Sequence, residues 1–165
     1  MAEGSEERKE LARRSALPPE VIGRTEDFEP KADLSYRTFE RLAIADRSIE
    51  QSLLTGSLLR ACTFTAVGFR RCDLDGLRIE GCLFVRCDFE NIDFRSCAVA
   101  RSTFKECTFD GALISDCSFF DTVLESTTLS AAISDCSFTA STLVACDLKG
   151  SSSCRVDSRN RQWSG

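Results

Sequence analysis

Large apolar residues recur every five positions along most of this chain, and a period of five belongs neither to a helix nor to an ordinary strand. Stepping by five from Leu34 gives Phe39, Ile44, Ile49, Leu54, Leu59, Phe64, Phe69, Leu74, Ile79, Phe84, Phe89, Phe94, Val99, Phe104, Phe109, Ile114, Phe119, Leu124 and Leu129. One step of four follows, and the series resumes at Ile133, Phe138, Leu143 and Leu148, making twenty-four sites. Repetition at a fixed period marks a stacked architecture.

Two residues before these sites runs a second series of mostly small residues. Cys62, Cys72, Cys82, Cys87, Cys97, Cys107, Cys117, Cys136 and Cys146 all belong to it, so one rule places nine of the ten cysteines. Ala32, Ser52, Ser57, Ser102, Ala112, Thr122, Thr127, Ala131 and Ser141 share the position, with Leu42, Val67, Leu77 and Ile92 as larger variants and Arg47 as an exception. The other three positions are mostly polar or small, as an outward surface requires. A chain that turns a corner every five residues, two side chains inward and three outward, winds into a square coil of about twenty residues. At ~4.8 Å per coil, twenty-four repeats make six coils and a rod about 29 Å long. Each coil buries its apolar pair only against its neighbours, so both ends of the stack need caps.

The segments Ala32-Asp33-Leu34-Ser35-Tyr36, Cys72-Asp73-Leu74-Asp75-Gly76 and Cys87-Asp88-Phe89-Glu90-Asn91 resemble the pentapeptide-repeat family, whose pattern is a small residue, Asp or Asn, Leu or Phe, then two variable positions. The resemblance covers residues 32–150 and implies an all-β fold, a right-handed quadrilateral β-helix of about six coils with a short N-terminal helix or cap. Three parts are expected: residues 1–31 as a polar N-terminal segment and cap, residues 32–150 as the β-helix, and residues 151–165 as a polar C-terminal tail.

Composition narrows the chemistry. There is no histidine, which removes Ser-His-Asp and Cys-His arrangements, His-ligated metals and the commonest general base. No nucleophile, base and orienting residue recur together, no Gly-rich phosphate loop is present, and a filled interior leaves no cavity, so no catalytic residue, cofactor or metal is expected and the chain reads as a non-enzyme. Absence of a signal-like or membrane-spanning apolar run points to the cytoplasm, where thiols stay reduced. The cysteines are therefore expected to be reduced core residues: the Cys82-x4-Cys87 spacing is loose for zinc, and no second CxxC or histidine completes a site.

A net charge of −5 argues against direct nucleic-acid binding, which needs clustered Lys and Arg. Folding the sequence at four repeats per coil sorts the charges. The face of Leu34, Leu54, Leu74, Phe94, Ile114 and Ile133 carries Asp33, Asp73, Asp75, Asp93, Asp116 and Asp135 against Arg95; these six aspartates are the candidate partner-binding surface. On the face of Phe39, Leu59, Ile79, Val99, Phe119 and Phe138, Arg41, Arg60, Arg78 and Arg101 outnumber Glu40, Glu80 and Asp121. The expected function is a rigid protein-binding scaffold. The family resemblance implies an alternative, mimicry of duplex DNA on DNA gyrase or topoisomerase IV with protection from quinolones. Duplex DNA carries one charge per ~1.7 Å, about 17 over such a rod, whereas residues 32–150 hold 17 acidic against 12 basic residues, a poor match.

The ends and the irregular step carry further expectations. Ser5 to Arg14 has a short helix's charge order, with little to bury, and residues 1 to about 16 are expected to be mobile. Leu17, Val21, Ile22 and Phe28 are the better candidates for a lid on the first coil. The four-residue step predicts a kink or bulge around Ser130 to Ala132. The pattern stops after Leu148, and the apolar C-terminal helix of dimeric family members is missing, so Val156 and Trp163 are expected to plug the last coil, or its open end to meet another molecule, including a second copy.

Overall fold

A computed structural model describes residues 25–146 and two short strands, Glu20–Val21 and Trp163–Ser164. The described chain is a parallel-stranded β-solenoid of about five turns. Successive coils are related by twenty residues: Phe64 lies opposite Ile44 and Phe84, and Ile79 opposite Leu59 and Val99. Four faces follow in chain order, named here from the one that carries Leu34. The second face contains the strands Glu20–Val21, Arg37–Glu40, Leu58–Arg60, Arg78–Glu80, Ala98–Ala100, Ser118–Phe120 and Ser137–Thr139. Its opposite number, the fourth face, holds Ile49, Phe69, Phe89, Phe109 and Leu129 and is bridged through Gly68, Asp88, Thr108 and Thr128. Residues 131–146 run through three faces of a sixth coil; residues 147–150, with the expected end of that coil, lie outside the described residues.

Each large inward residue is buried, from Leu34 through Leu143. Phenylalanines stack along the rod axis at the coil spacing. Phe64, Phe84 and Phe104 form one nearly parallel column, with centroids 4.9 and 4.7 Å apart, and Phe69, Phe89 and Phe109 form the next, with both steps at 4.7 Å. Rings of adjacent columns meet edge to face, as Phe84 does with Phe89 at 5.6 Å. Such contacts add about 0.5–1.5 kcal/mol per ring pair to the area buried.

Corners need a residue with positive φ, and it falls at the same repeat position each time, two after the large inward residue: Arg41, Ala61, Arg86, Asn91 and Ser96 are examples. Among the described residues nineteen non-glycine residues take it and none is β-branched, because Val, Ile and Thr are the side chains least tolerant of that region. Several corners are closed as type II turns by a bond across the bend, including Ser57 N–H to Leu54 C=O at 3.1 Å and Leu77 N–H to Leu74 C=O at 3.0 Å.

The small inward position does more than fill space. Ser57 Oγ donates to Leu34 C=O at 2.6 Å and accepts from Arg37 N–H at 3.1 Å, so one hydroxyl joins two backbone groups of the coil before it. Cysteine performs the donor half with sulfur: Cys72 Sγ to Ile49 C=O at 3.0 Å and Cys97 Sγ to Leu74 C=O at 2.9 Å. Cys62 N–H in turn donates to Cys82 Sγ at 3.4 Å. A residue that is small, inward and able to donate and accept serves this corner best, which accounts for the Cys, Ser and Thr usage.

The irregularity expected at 130–132 takes the form of a tightened corner. The residue missing from the four-residue step is the one with positive φ, and Ala131 N–H instead bonds Leu129 C=O at 2.7 Å, a three-residue turn. Ladders resume at once with a nineteen-residue offset, Ile114 opposite Ile133 and Phe119 opposite Phe138.

At the N-terminal end, the described cap is a single 3-10 turn, Thr25–Asp27, followed by Phe28, whose ring covers Phe39 at 4.7 Å and Phe64 at 6.0 Å. Arg47, the exception in the small series, sits in the first coil and caps this turn: Nη1 donates to Thr25 C=O at 2.9 Å. Arg37 is a second exception in the same coil, half-exposed. The expected helix at Ser5 to Arg14, the mobility of residues 1–16, and Leu17, Ile22 and Val156 fall outside the described residues. Trp163–Ser164 adds a last strand beside Thr142–Val144, with Trp163 opposite Leu143. That keeps the twenty-residue coil offset although the five-residue pattern has ended.

Candidate functional site

The first face gathers all six predicted aspartates, though not equivalently. Asp33, Leu53, Asp73, Asp93, Leu113 and Ala132 stack in one outward column. Asp75 and Arg95 belong to the parallel column on the same face. Asp116 and Asp135 occupy the corner toward the second face, both with positive φ, which Asp tolerates better than most side chains.

Several of these carboxylates hold the backbone. Asp33 Oδ1 accepts from Ser35 N–H and Asp73 Oδ1 from Asp75 N–H, each at 3.1 Å, and Asp88 on the fourth face repeats the bond to Glu90 N–H at 2.9 Å. This is an Asx turn, and it explains why Asp precedes the large inward residue in the motif. Asp93 is paired with Arg95, whose guanidinium is held above its ordinary pKa first by that hydrogen bond and then by the charge of Asp93. Asp75, Asp116 and Asp135 are exposed, and their carboxylates make no ion pair with any described residue.

Sequence reasoning missed that the acidic surface continues around the next corner. On the fourth face Glu50, Arg70, Glu90, Asp110 and Ser130 form a column beside Asp88. Arg70 Nε reaches Asp88 at 2.6 Å and Glu90 at 3.5 Å, leaving Glu50 and Asp110 outside the pair. Taken together, the first and fourth faces present ten carboxylates against Arg47, Arg70, Arg71 and Arg95. The remaining two faces of residues 32–146 present six against seven basic groups. The signal was available, since carrying the same count one face further finds Glu50, Asp88, Glu90 and Asp110. On the second face the basic bias is partly cancelled: Arg60 bridges Glu40 at 2.8 Å and Glu80 at 3.2 Å.

Glu50, Arg70, Arg71, Glu90 and Asn91 line a shallow polar depression of about 150 Å³, below the few hundred Å³ of a small-molecule site and without apolar walls. Among the described residues no three Cys, Asp or Glu side chains converge as metal ligands. The nine cysteines among the described residues are free thiols. Burial pushes the Cys72 thiol up to about 11 and raises Cys146; Cys82 is raised by the hydrogen bond with the Cys62 thiol and then by burial. Cys72, Cys82 and Cys146 are thus protonated donors at neutral pH rather than nucleophiles. Among the described residues no helix is long and apolar enough to cross a membrane.

A square solenoid with small and large inward residues alternating at a five-residue period defines the class: a quadrilateral β-helix. Residues 72–111 match the family described as Pentapeptide repeats, in eight copies. Among solved structures it is similar to Rfr23 from the cyanobacterium Cyanothece 51142, at 10% identity over 86% of this chain and 95% of that one, with a TM-score of 0.49. A trypsin-treated variant of QnrB1, a plasmid-mediated fluoroquinolone resistance protein, matches at 15% identity over 82% of this chain and 89% of the other, with a TM-score of 0.47. HetL from Nostoc sp. strain PCC 7120, involved in heterocyst differentiation regulation, matches at 12% identity over 87% and 93%, with a TM-score of 0.25. No curated protein matches the chain.

Proposed function

We propose that this protein is a non-catalytic scaffold that binds a basic protein partner along its first and fourth faces. The observation that carries this reading is the partition of charge: ten carboxylates against four guanidinium groups on two adjoining faces, over a regularly repeating apolar interior. A rigid rod loses little conformational entropy when it binds, and a single-sign surface steers an oppositely charged partner. Asp75, Asp116, Asp135, Glu50 and Asp110 are the groups offered, since Asp33, Asp73 and Asp88 hold turns and Asp93 is paired with Arg95. Affinity capture with the wild-type chain and with Asp73, Asp75, Asp93 and Asp116 changed to Asn tests it. The same proteins retained by both would reject the reading.

The acidic faces also favour a second reading, occupation of the DNA-binding saddle of DNA gyrase or topoisomerase IV. Against it stands magnitude, because the excess of six negative charges on the two acidic faces compares with about 17 on duplex DNA of similar length. A gyrase supercoiling assay with and without quinolone decides: neither protection nor inhibition at micromolar protein sinks this reading and leaves the scaffold reading standing.

A further inference from the structure

Four large apolar side chains among the described residues stand out into solvent, and two of them share one column of the first face: Leu53, 43% exposed, and Leu113, 51% exposed. The other two, Leu83 and Phe120, belong to the third and second faces. One exposed leucine is ordinary, but the setting of this pair is not. Leu53 is bridged to Asp73, Asp73 to Asp93, and Asp93 lies opposite Leu113, so three coil steps separate the leucines, about 14 Å. Aspartates occupy both levels between them.

Carboxylates also flank the column on either side. Toward the second face stand Asp75 and the corner residues Asp116 and Asp135; toward the fourth, past the corner of Gln51, Arg71, Asn91 and Gly111, stand Glu50 and Asp110. The backbone under the column offers no edge for an added strand. Leu53 N–H bonds Ala32 C=O at 2.9 Å, Leu53 C=O accepts from Leu34 N–H at 2.8 Å, and Leu113 N–H bonds Ile92 C=O at 2.9 Å. An extended peptide lying flat here would leave its own N–H and C=O groups unpaired as it lost water. A helix closes its backbone internally and meets a flat face through side chains alone.

We propose that the first face binds a basic amphipathic helix laid along the rod axis, with Leu53 and Leu113 as its apolar anchors. Helix residues i and i+11 lie on one side about 16.5 Å apart, and the two flexible leucine side chains take up the remaining ~2 Å. Residue i+4, about 6 Å along the helix, comes level with Asp73 and Asp75, so Lys or Arg belongs there. Further basic residues on the flanks of the helix meet Glu50 and Asp110 on one side and Asp116 and Asp135 on the other. This inference rests on the acidic-surface reading and adds to it the partner's secondary structure and its two points of apolar contact.

Fluorescence anisotropy at physiological salt tests it on the full chain, with two labelled alanine-based peptides of about twenty residues, the length of the rod as helix. Both carry Lys at i+4 and on the flanks; one has Leu at i and i+11 and the other Gln, a residue of similar helix propensity. The Leu peptide is expected to bind at least tenfold more tightly than the Gln peptide, and Leu53→Ser with Leu113→Ser to bring the two within about twofold. Asp73→Asn with Asp75→Asn is expected to weaken both peptides alike. Equal binding of the two peptides by the parent chain overturns the proposal without any variant having to fold; if the Asn variant then loses both, the acidic-surface reading survives alone. An advantage for the Leu peptide that the two Ser substitutions leave intact also overturns it. So does binding of neither peptide, in which case affinity capture still decides the acidic-surface reading.

Discussion

Inside the rod, Phe64, Phe84 and Phe104 repeat one ring geometry from coil to coil, whereas Thr63, Leu83 and Thr103, directly outside them, change character at each step. The same strands carry both sets. An inward residue touches its own kind above and below at a fixed ~4.8 Å spacing, so a change in one coil is felt by two others. An outward residue meets solvent and answers only to what it binds. The interior therefore specifies the fold and holds no information about function, and the two acidic faces are where coils and sides differ.

The contrast can be broken first from within. Phe84→Ala is expected to cost about 3–5 kcal/mol by equilibrium denaturation, because the ring is wholly buried and stacked on both sides. A loss below 1 kcal/mol would mean that the column is not the source of stability. Next in size is an alkaline transition. The Cys72 thiol has its pKa raised in the folded chain from 9.0 to about 11, so the unfolded chain loses its proton first and folding is weakened as pH rises. Its contribution is fully present below about pH 9 and is lost between about pH 9 and 11, about 2–3 kcal/mol for a shift of this size. Urea melts at pH 7, 9 and 10.5 should fall in that order, and Cys72→Ser should flatten the slope.

Ser57→Ala removes the hydroxyl that joins Arg37 N–H to Leu34 C=O. A cost of about 1–3 kcal/mol is expected for the buried groups left unpaired, with Ser57→Cys recovering part of it. Equal stability of the Ala and Cys variants would reduce this position to a size requirement. On the outside the expected effect on stability is smallest. Changing Asp73, Asp75, Asp93 and Asp116 to Asn should move stability by no more than about 0.5 kcal/mol per site, since Asn at 73 still accepts the turn hydrogen bond. A larger drop in the thermal melt would place these carboxylates in the fold rather than on a working surface.

Much of this was legible from the twenty-four-site series alone. The coil length, the Phe columns, the stacked cysteines and the shortened corner at 130–132 all follow from counting, because parallel stacking in register converts sequence distance directly into position; Phe28 was one of four apolar candidates for a lid, and the structure places its ring on Phe39. What counting did not yield is chemistry specific to one atom. The thiols and hydroxyls read as small fillers, and only the geometry shows Ser57 and Cys72 bonding the previous coil. Likewise the six aspartates read alike, yet Asp33 and Asp73 close turns while Asp75 faces solvent. The fourth face was missed because only two faces were tallied. Arg47 departs from the small series because the first coil has a cap, not another coil, on one side.

The measurement closest to the central claim compares opposite sides of one rod. Affinity capture would be run at physiological salt with three immobilised proteins: wild type, the four-site Asp→Asn variant of the first face, and a variant with Arg78→Gln and Arg101→Gln on the second. The account predicts that wild type and the arginine variant retain the same partner, identified by mass spectrometry, and that the Asn variant loses it. Loss with the arginine variant and retention with the Asn variant would contradict it, and so would the same set of proteins on all three.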